Sequence, residues 1–252
     1  MSSKVQCGDN LMATNTYGKV SVSTMEHGIP AGGMWDDFHV PNDWEVESAH
    51  ISDGVTYVTG FSDTTLSEVT IPESVEEIGN EAFAGCLNLE EVDLPDGVAI
   101  GDSAFAETGL SDITIPKDSS IGESAFENCD NLNTVEIHSR EIGDFAFRGS
   151  NVKHLSIGNE VRKIGDEAFA HTSLKETVMM TGVASVGEES FYGTKAEIVT
   201  NDNVAVTLRE EGINARTPRL RDIAQDAIHV SNSIGANSDD SKSAPIKDEI
   251  AI

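Results

Sequence analysis

Residues 78–83 read Ile78-Gly79-Asn80-Glu81-Ala82-Phe83, and the pattern Ile-Gly-x-x-Ala-Phe returns at Ile100…Phe105, Ile121…Phe126, Ile142…Phe147 and Ile164…Phe169. A softened copy closes the series as Val186-Gly187-Glu188-Glu189-Ser190-Phe191. The phenylalanines step along the chain by 22, 21, 21, 22 and 22 residues. A second motif, Leu-x-x-Val-x-Ile-Pro, keeps the same beat. It reads Leu66…Val69…Ile71-Pro72, Leu89…Val92…Leu94-Pro95 and Leu110…Ile113…Ile115-Pro116. It continues as Leu132…Val135…Ile137, Val152…Leu155…Ile157 and, weakly, Leu174…Thr177…Met179. Self-similarity at one period is the signature of a repeat architecture.

In Val-x-Ile every second residue is apolar, the period of a short strand with one buried face. A unit of 21–22 residues cannot bury that face alone, but stacked on its neighbours it builds a continuous core. The predicted class is an α/β repeat solenoid, with coils about 4.7–4.9 Å apart, a parallel β-sheet and short helical turns. The Phe column forms an aromatic stack inside, each ring stabilising by on the order of 1.5–3 kcal/mol on burial. Gly permits a backbone turn that a side chain would obstruct. The next residue (Asn80, Asp102, Glu123, Asp144, Asp166, Glu188) caps a helical turn or complements its dipole.

Three residues after each Phe stands a small residue: Cys86, Thr108, Cys129, Ser150, Thr172 and Thr194. Cysteine here reads as a small buried hydrophobe. Cys86 and Cys129 lie two coils, about 10 Å, apart, beyond the roughly 7 Å a disulfide tolerates. The departures Ile157-Gly158 and Met179-Met180-Thr181 predict looser geometry toward the C-terminal end, so that loss of Phe191 costs less than loss of Phe126.

Together the two motifs resemble the BspA-like class of leucine-rich repeats, over about residues 61–215. The resemblance implies a right-handed leucine-rich-repeat-like stack and a surface adhesion or protein-binding module, and it supplies no catalytic residues. The end of the array resembles the family too. It has a strand at 196–199, a helix over 204–211 capped by Asn203 and ended by Gly212, and an edge segment Ile213-Asn214-Ala215.

Around a solenoid at 61–201, residues 1–60 read as an N-terminal cap or small attachment region, with strands expected near 20–23 and 55–58. The capping helix and edge segment occupy 202–215. An amphipathic helix is expected over 216–230, opened by Thr217-Pro218, followed by a disordered tail at 231–252. His27, His39, His50, Asp36 and Asp37 match no metal-ligand spacing, and Trp35 and Trp44 read as residues of a small core.

The chain carries 16 Lys and Arg against 44 Asp and Glu, a formal charge of −28. Residues 66–200 hold 26 acidic and 8 basic residues, a net of −18. That balance argues against nucleic-acid binding, which needs cations to neutralise phosphates, and against an anionic membrane surface. The first ten residues contain no apolar run of the roughly 7–15 residues a secretory leader uses. No window approaches the roughly 18 apolar residues of a membrane span. Membrane insertion is not expected. The default location is the cytoplasm, with surface or particle association left open.

On the strands, the residues alternating with buried ones face outward and stack into columns. They are Glu68 and Thr70, Glu91 and Asp93, Asp112 and Thr114, Thr134 and Glu136, His154 and Ser156, and Glu176 and Val178. The polar members form the expected partner-binding surface. Glu68, Glu91 and Asp112 would stand about 5 Å apart, close enough to repel. Three uses of the acid remain open. One is a surface suited to high salt, as in a halophile, where screening removes the repulsion; another is a basic protein partner. The third is divalent cations along the ladder, although no Asp-x-Asp-x-Asp-Gly loop occurs.

The chain has no Gly-x-Ser-x-Gly elbow, phosphate loop, His-Glu-x-x-His or Cys-x-x-Cys. No catalytic residue, cofactor, metal site or enzymatic activity is assigned. The expected function is a non-enzymatic protein-binding or adhesion module on the outward strand face. The alternative is a structural component of a particle or surface layer attached through residues 1–60.

Overall fold

The computed structural model describes the backbone of residues 4–7, 11–15, 19–24, 46–51 and 53–218, with side chains from residue 46 onward. The helix expected over 216–230 lies, beyond Pro218, outside the described residues. So do the tail at 231–252 and His27, His39, Asp36, Asp37, Trp35 and Trp44.

Short strands follow one another along the chain. They are β1 (Lys4–Cys7), β2 (Leu11–Asn15), β3 (Lys19–Thr24), β4 (Ser48–Ile51), β5 (Tyr57–Val58), β6 (Glu68–Thr70), β7 (Glu77–Ile78), β8 (Ala99–Ile100) and β9 (Asp112–Ile115). Next come β10 (Ser120–Ile121), β11 (Thr134–Ile137), β12 (Glu141–Ile142), β13 (His154–Ile157), β14 (Lys163–Ile164) and β15 (Val178–Met179). The series closes with β16 (Ser185–Val186), β17 (Ile198–Val199), helix α1 (Asp202–Glu210) and β18 (Ala215–Arg216).

Each coil feeds two sets of parallel ladders. The Leu-x-x-Val-x-Ile positions supply β4–β6, β9–β11–β13 and β15–β17–β18, while the residues before each Gly supply β5–β7–β8–β10 and β12–β14–β16. At the N-terminal edge β1, β2 and β3 pair antiparallel, and β3 joins β4 in parallel. The result is a parallel β-solenoid. The α/β expectation is corrected in one respect: α1 is the single α-helix among the described residues.

Inside the coils the phenylalanines form one continuous stack, with ring centroids 5.1–5.4 Å apart and planes within 16° of parallel. Every ring is fully buried. The stack holds seven rings, one more than the hexapeptide count, because Phe61 lies on Phe83. Residues 46–60, grouped by sequence with the non-repeating region, form a further coil, with β4 pairing β6 and β5 pairing β7. The hexapeptide is hidden there because it is two residues short. Val58 pairs where Ile78 stands, and only Thr59 and Gly60 separate it from Phe61.

The segment expected as a short helical turn is a ribbon of turns. In the six coils that carry the hexapeptide, the residue two before Phe has a left-handed backbone: Glu81, Ser103, Ser124, Phe145, Glu167 and Glu189, with φ between 48° and 57°. The residue two after Phe is left-handed too, as at Glu107 and Asn128. A helix would spend its amides on its own carbonyls. Here the left-handed residues turn them along the stack, so Glu81 N–H donates to the Asp102 carbonyl (2.9 Å) and Phe83 N–H to that of Ala104 (2.8 Å). The Asn and Asp copies likewise bond between coils. Asn80 Oδ1 accepts from Asp102 N–H and Asp102 Oδ1 from Glu123 N–H, each at 2.9 Å. Glycine serves close approach here, since a Cβ on Gly143 would stand 2.5 Å from the Gly122 carbonyl oxygen.

The C-terminal cap is built as expected in kind. Its helix is capped by Asn201 rather than Asn203, with Asn201 Oδ1 accepting from Val204 N–H at 3.1 Å. Gly212 follows with φ +81°, and β18 closes the sheet beside β17. Val204, Ala205 and Leu208 face the core. Arg216 binds Glu197 in a two-pronged contact, Nε to Oε1 at 2.9 Å and Nη2 to Oε2 at 3.1 Å, the strong geometry for this pair. Burial, with the charges of Glu188, Glu189 and Asp166, raises the Glu211 carboxyl above its ordinary value, against a Glu189 backbone hydrogen bond.

Phe191 is as buried as the other rings, so the frayed end expected there is absent. It differs in having one ring neighbour instead of two. Phe126→Ala should cost about 3–5 kcal/mol, and Phe191→Ala about 1 kcal/mol less, the worth of one aromatic pair. Urea midpoints of the two variants check this order. The Glu211 shift also has a sign. The folded state holds this proton more tightly than the unfolded chain, so stability falls as pH rises from the ordinary 4.5 through the raised value. Glu211→Gln should therefore raise Tm at neutral pH, and the gain should vanish below that ordinary value.

Candidate functional site

Pairing on the long-strand ladder sets the outward residues in rows. Asp112, Thr134 and His154 stand opposite one another, and so do Thr114, Glu136 and Ser156. At the N-terminal end Ser48 pairs Glu68, and His50 pairs Thr70. The intervening Val69, Ile113 and Val135 are buried, so strand alternation delivers the outward set as expected. Glu68, Thr70, Glu91, Asp93, Asp112, Thr114, Thr134, His154, Ser156 and Glu176 are exposed, and Glu136 is half-buried. His154 Nδ1 lies 3.0 Å from Glu176 Oε2, which carries the first row into the next coil.

Two expected features are corrected. Val178 points inward and is buried, as is Met180, while Thr177 is exposed. Three residues, not two, separate Leu174 from the next buried strand residue, Val178. That extra residue flips the alternation, because side chains change face at every step. The acidic column is also broken. Residues 90–95 form no strand, although they carry the strand motif, and the ladder stops at β6 and restarts at β9. Glu91 and Asp93 are therefore in no paired register with Glu68 or Asp112. The interruption falls where Glu91 would stand directly between Glu68 and Asp112, with Glu90 and Asp93 on either side of it, the like-charge juxtaposition that a sheet disfavours.

The interruption opens a trough of about 860 Å³ on the strand face, lined by Ser67–Thr70, Glu90–Leu94, Asp112–Thr114 and Pro116. Val92 and Leu94 are only half-buried there. Sequence reasoning missed both, since the motif places them in the core. The tandem acids Glu90-Glu91 followed by Asp93 were the available signal. Further along, carboxylates of the face have histidine neighbours, Glu136 beside His138 and Glu176 beside His154, each at 3.0 Å.

As chemistry, the face offers rows of carboxylates and hydroxyls. Among the described residues, no group of three or more His, Cys, Asp or Glu is placed to hold a metal ion. Cys86 and Cys129 are buried free thiols. They are not merely small hydrophobes, since Cys86 Sγ donates to the Phe61 carbonyl (3.0 Å) and Cys129 Sγ to that of Phe105 (3.2 Å). Thr108 Oγ1 donates to the Phe105 carbonyl and Ser150 Oγ to that of Phe126. The small-residue column is thus a line of donors serving inward carbonyls. Burial raises both thiol pKa values, against hydrogen bonds between Thr64 and Cys86 and between Thr108 and Cys129.

Stacked parallel coils around a shared aromatic core, with a polar strand face, define a solenoid of the leucine-rich-repeat kind. The chain matches the BspA type leucine rich repeat region in six copies, over residues 56–140 and 98–211. That span is more than half of the chain, and the protein belongs to this family.

Among solved structures, it is similar to a leucine-rich repeat protein from Eubacterium ventriosum, at 18% identity over 80% of this chain and 72% of that one, TM-score 0.47. It is also similar to a leucine rich cell surface protein from Faecalibacterium prausnitzii, at 20% identity over 77% and 55%, TM-score 0.45. A third likeness is to the pneumococcal vaccine antigen PcpA, at 19% identity over 81% and 51%, TM-score 0.41. The chain spans about half the length of the last two. No curated protein matches it.

Raised pKa values keep Cys86 and Cys129 as thiols, and burial keeps reagents away. Neither should be alkylated by iodoacetamide at neutral pH in the native protein, and both should react in urea, read by mass spectrometry of peptides.

Proposed function

We propose that the protein is a non-enzymatic protein-binding module of the adhesion kind, working through the outward side of its long-strand ladder. The observation that carries this reading is the register that sets Asp112, Thr134 and His154 in one exposed row and Thr114, Glu136 and Ser156 in the next. Side chains held in rows by a hydrogen-bonded sheet are ordered before a partner arrives, so little entropy remains to be lost on binding. Solenoids present extended surfaces of this kind to partners. Glu68, Thr70, Glu91, Asp93 and Glu176 extend the same face. Its carboxylates favour a basic partner, because complementary potentials speed encounter and fix orientation. Among the described residues no helix is long and apolar enough to cross a membrane.

The test compares two sets of substitutions in affinity capture from cell extracts and extracellular matrix. Thr114→Arg, Thr134→Arg and Ser156→Arg together should abolish capture of the partner. Glu77→Arg, Glu123→Arg and Glu141→Arg, away from the long-strand ladder, should leave it intact. Equal capture by wild type and by the first set removes the strand face as the binding surface.

A further inference from the structure

We propose that the trough between β6 and β9 takes one extended, Lys- or Arg-bearing segment of a partner protein. The proposal rests on the strand-face reading and narrows it to one place and one chemistry.

Three observations support it. First, the peptide groups of Glu91, Val92, Asp93 and Leu94 make no hydrogen bond among the described residues, whereas residues at the same repeat positions in β9, β11 and β13 are paired. The neighbouring edges of β6 and β9 are likewise unpaired toward this segment. Free amides and carbonyls in a strand-like stretch are what an incoming extended chain bonds to. Second, the lining includes Glu68, Glu90, Glu91, Asp93 and Asp112 and no basic residue. None of these carboxylates has an ion-pair partner among the described residues, unlike Glu136 and Glu176 further along. Third, the half-exposed Val92 and Leu94 give an apolar floor against which the stems of lysine or arginine can lie.

Charge complementarity decides the occupant. An acidic or neutral segment would bury these five carboxylates without compensation, whereas a basic one relieves their mutual repulsion. The trough volume, about 860 Å³, is at the large end of ligand sites and suits a short stretch of chain.

The full chain is titrated with a short fluorescein-labelled peptide of alternating Lys and Val, followed by anisotropy, with a Glu–Val peptide as control. The Lys–Val peptide should bind, more weakly at high salt, and the Glu–Val peptide should not. Glu91→Gln with Asp93→Asn should weaken binding about tenfold, from two lost charge contacts. Glu77→Gln with Glu123→Gln, the same charge change elsewhere, should leave affinity within about twofold. Hydrogen exchange should be fast at the amides of 91–94 in the free protein and slowed in the complex.

Equal weakening by both double variants marks diffuse attraction and overturns the proposal, as does binding of the Glu–Val peptide or no binding at low salt. If Thr134→Arg with Ser156→Arg abolishes Lys–Val binding while Glu91→Gln with Asp93→Asn does not, the trough falls and the strand-face reading stands. If only the Glu77 and Glu123 variant matters, both fall.

Discussion

The stacking of one phenylalanine on the next is the contact on which the rest of the molecule depends. With centroids 5.1–5.4 Å apart, the rings stack one to a coil, and the coils rise by about the natural spacing of strands. Every other column inherits that rise: the ladders on either side, the Asn and Asp bonds between coils, and the line of Thr, Ser and Cys donors. Each ring adds the worth of its burial and of its pairs. Because those gains depend on the coils above and below, the array is stabilised by its interfaces and must be closed at its ends. Residues 201–216 do this at the C-terminal end with helix α1, Gly212 and the Arg216–Glu197 pair.

The core tolerates irregularity that the surface does not. Coil length varies by a residue without disturbing the rings, since the slack is taken up in the connecting turns. On the strand face, the same variation flips Val178 inward and ends one ladder at β13. The sheet is also interrupted at the acidic segment 90–95. Between β6 and β9 the aromatic stack continues, with Phe83 on Phe105 at 5.2 Å, while the strand above it fails to pair. A rigid interior thus carries an exterior that can open locally, and that is where the trough and its unpaired peptide groups lie.

Much of the fold and the outward row of residues could be read in advance, because both follow from periods that are local in the chain. The Phe interval marks the coil, and the Val-x-Ile alternation tells inside from outside at Glu68, Asp112, Thr134 and His154. The misses share one cause, a competition that only neighbouring coils settle. Phe61 was hidden because its coil lacks two residues of the motif. Val178 was misplaced by one inserted residue. Asn201 and Asn203 are equal as cap residues by type, and which one caps depends on where β17 releases the chain. The left-handed residues at 81, 103 and 124 carry no signal of their own, since Glu and Ser are not the usual occupants of that conformation.

The amino-acid sequence by itself determined that this is a stack of coils with phenylalanines inside, that its strands run parallel, and that its surface is acidic. Each of those follows from composition or period. Tertiary structure alone decided that the turns bond between coils instead of closing into helices, that the thiols serve backbone carbonyls, and that the ladder breaks at residues 90–95. Those outcomes depend on how adjacent coils meet at distances of a few ångströms, where a hydrogen bond or a like-charge pair outweighs any preference a single residue carries.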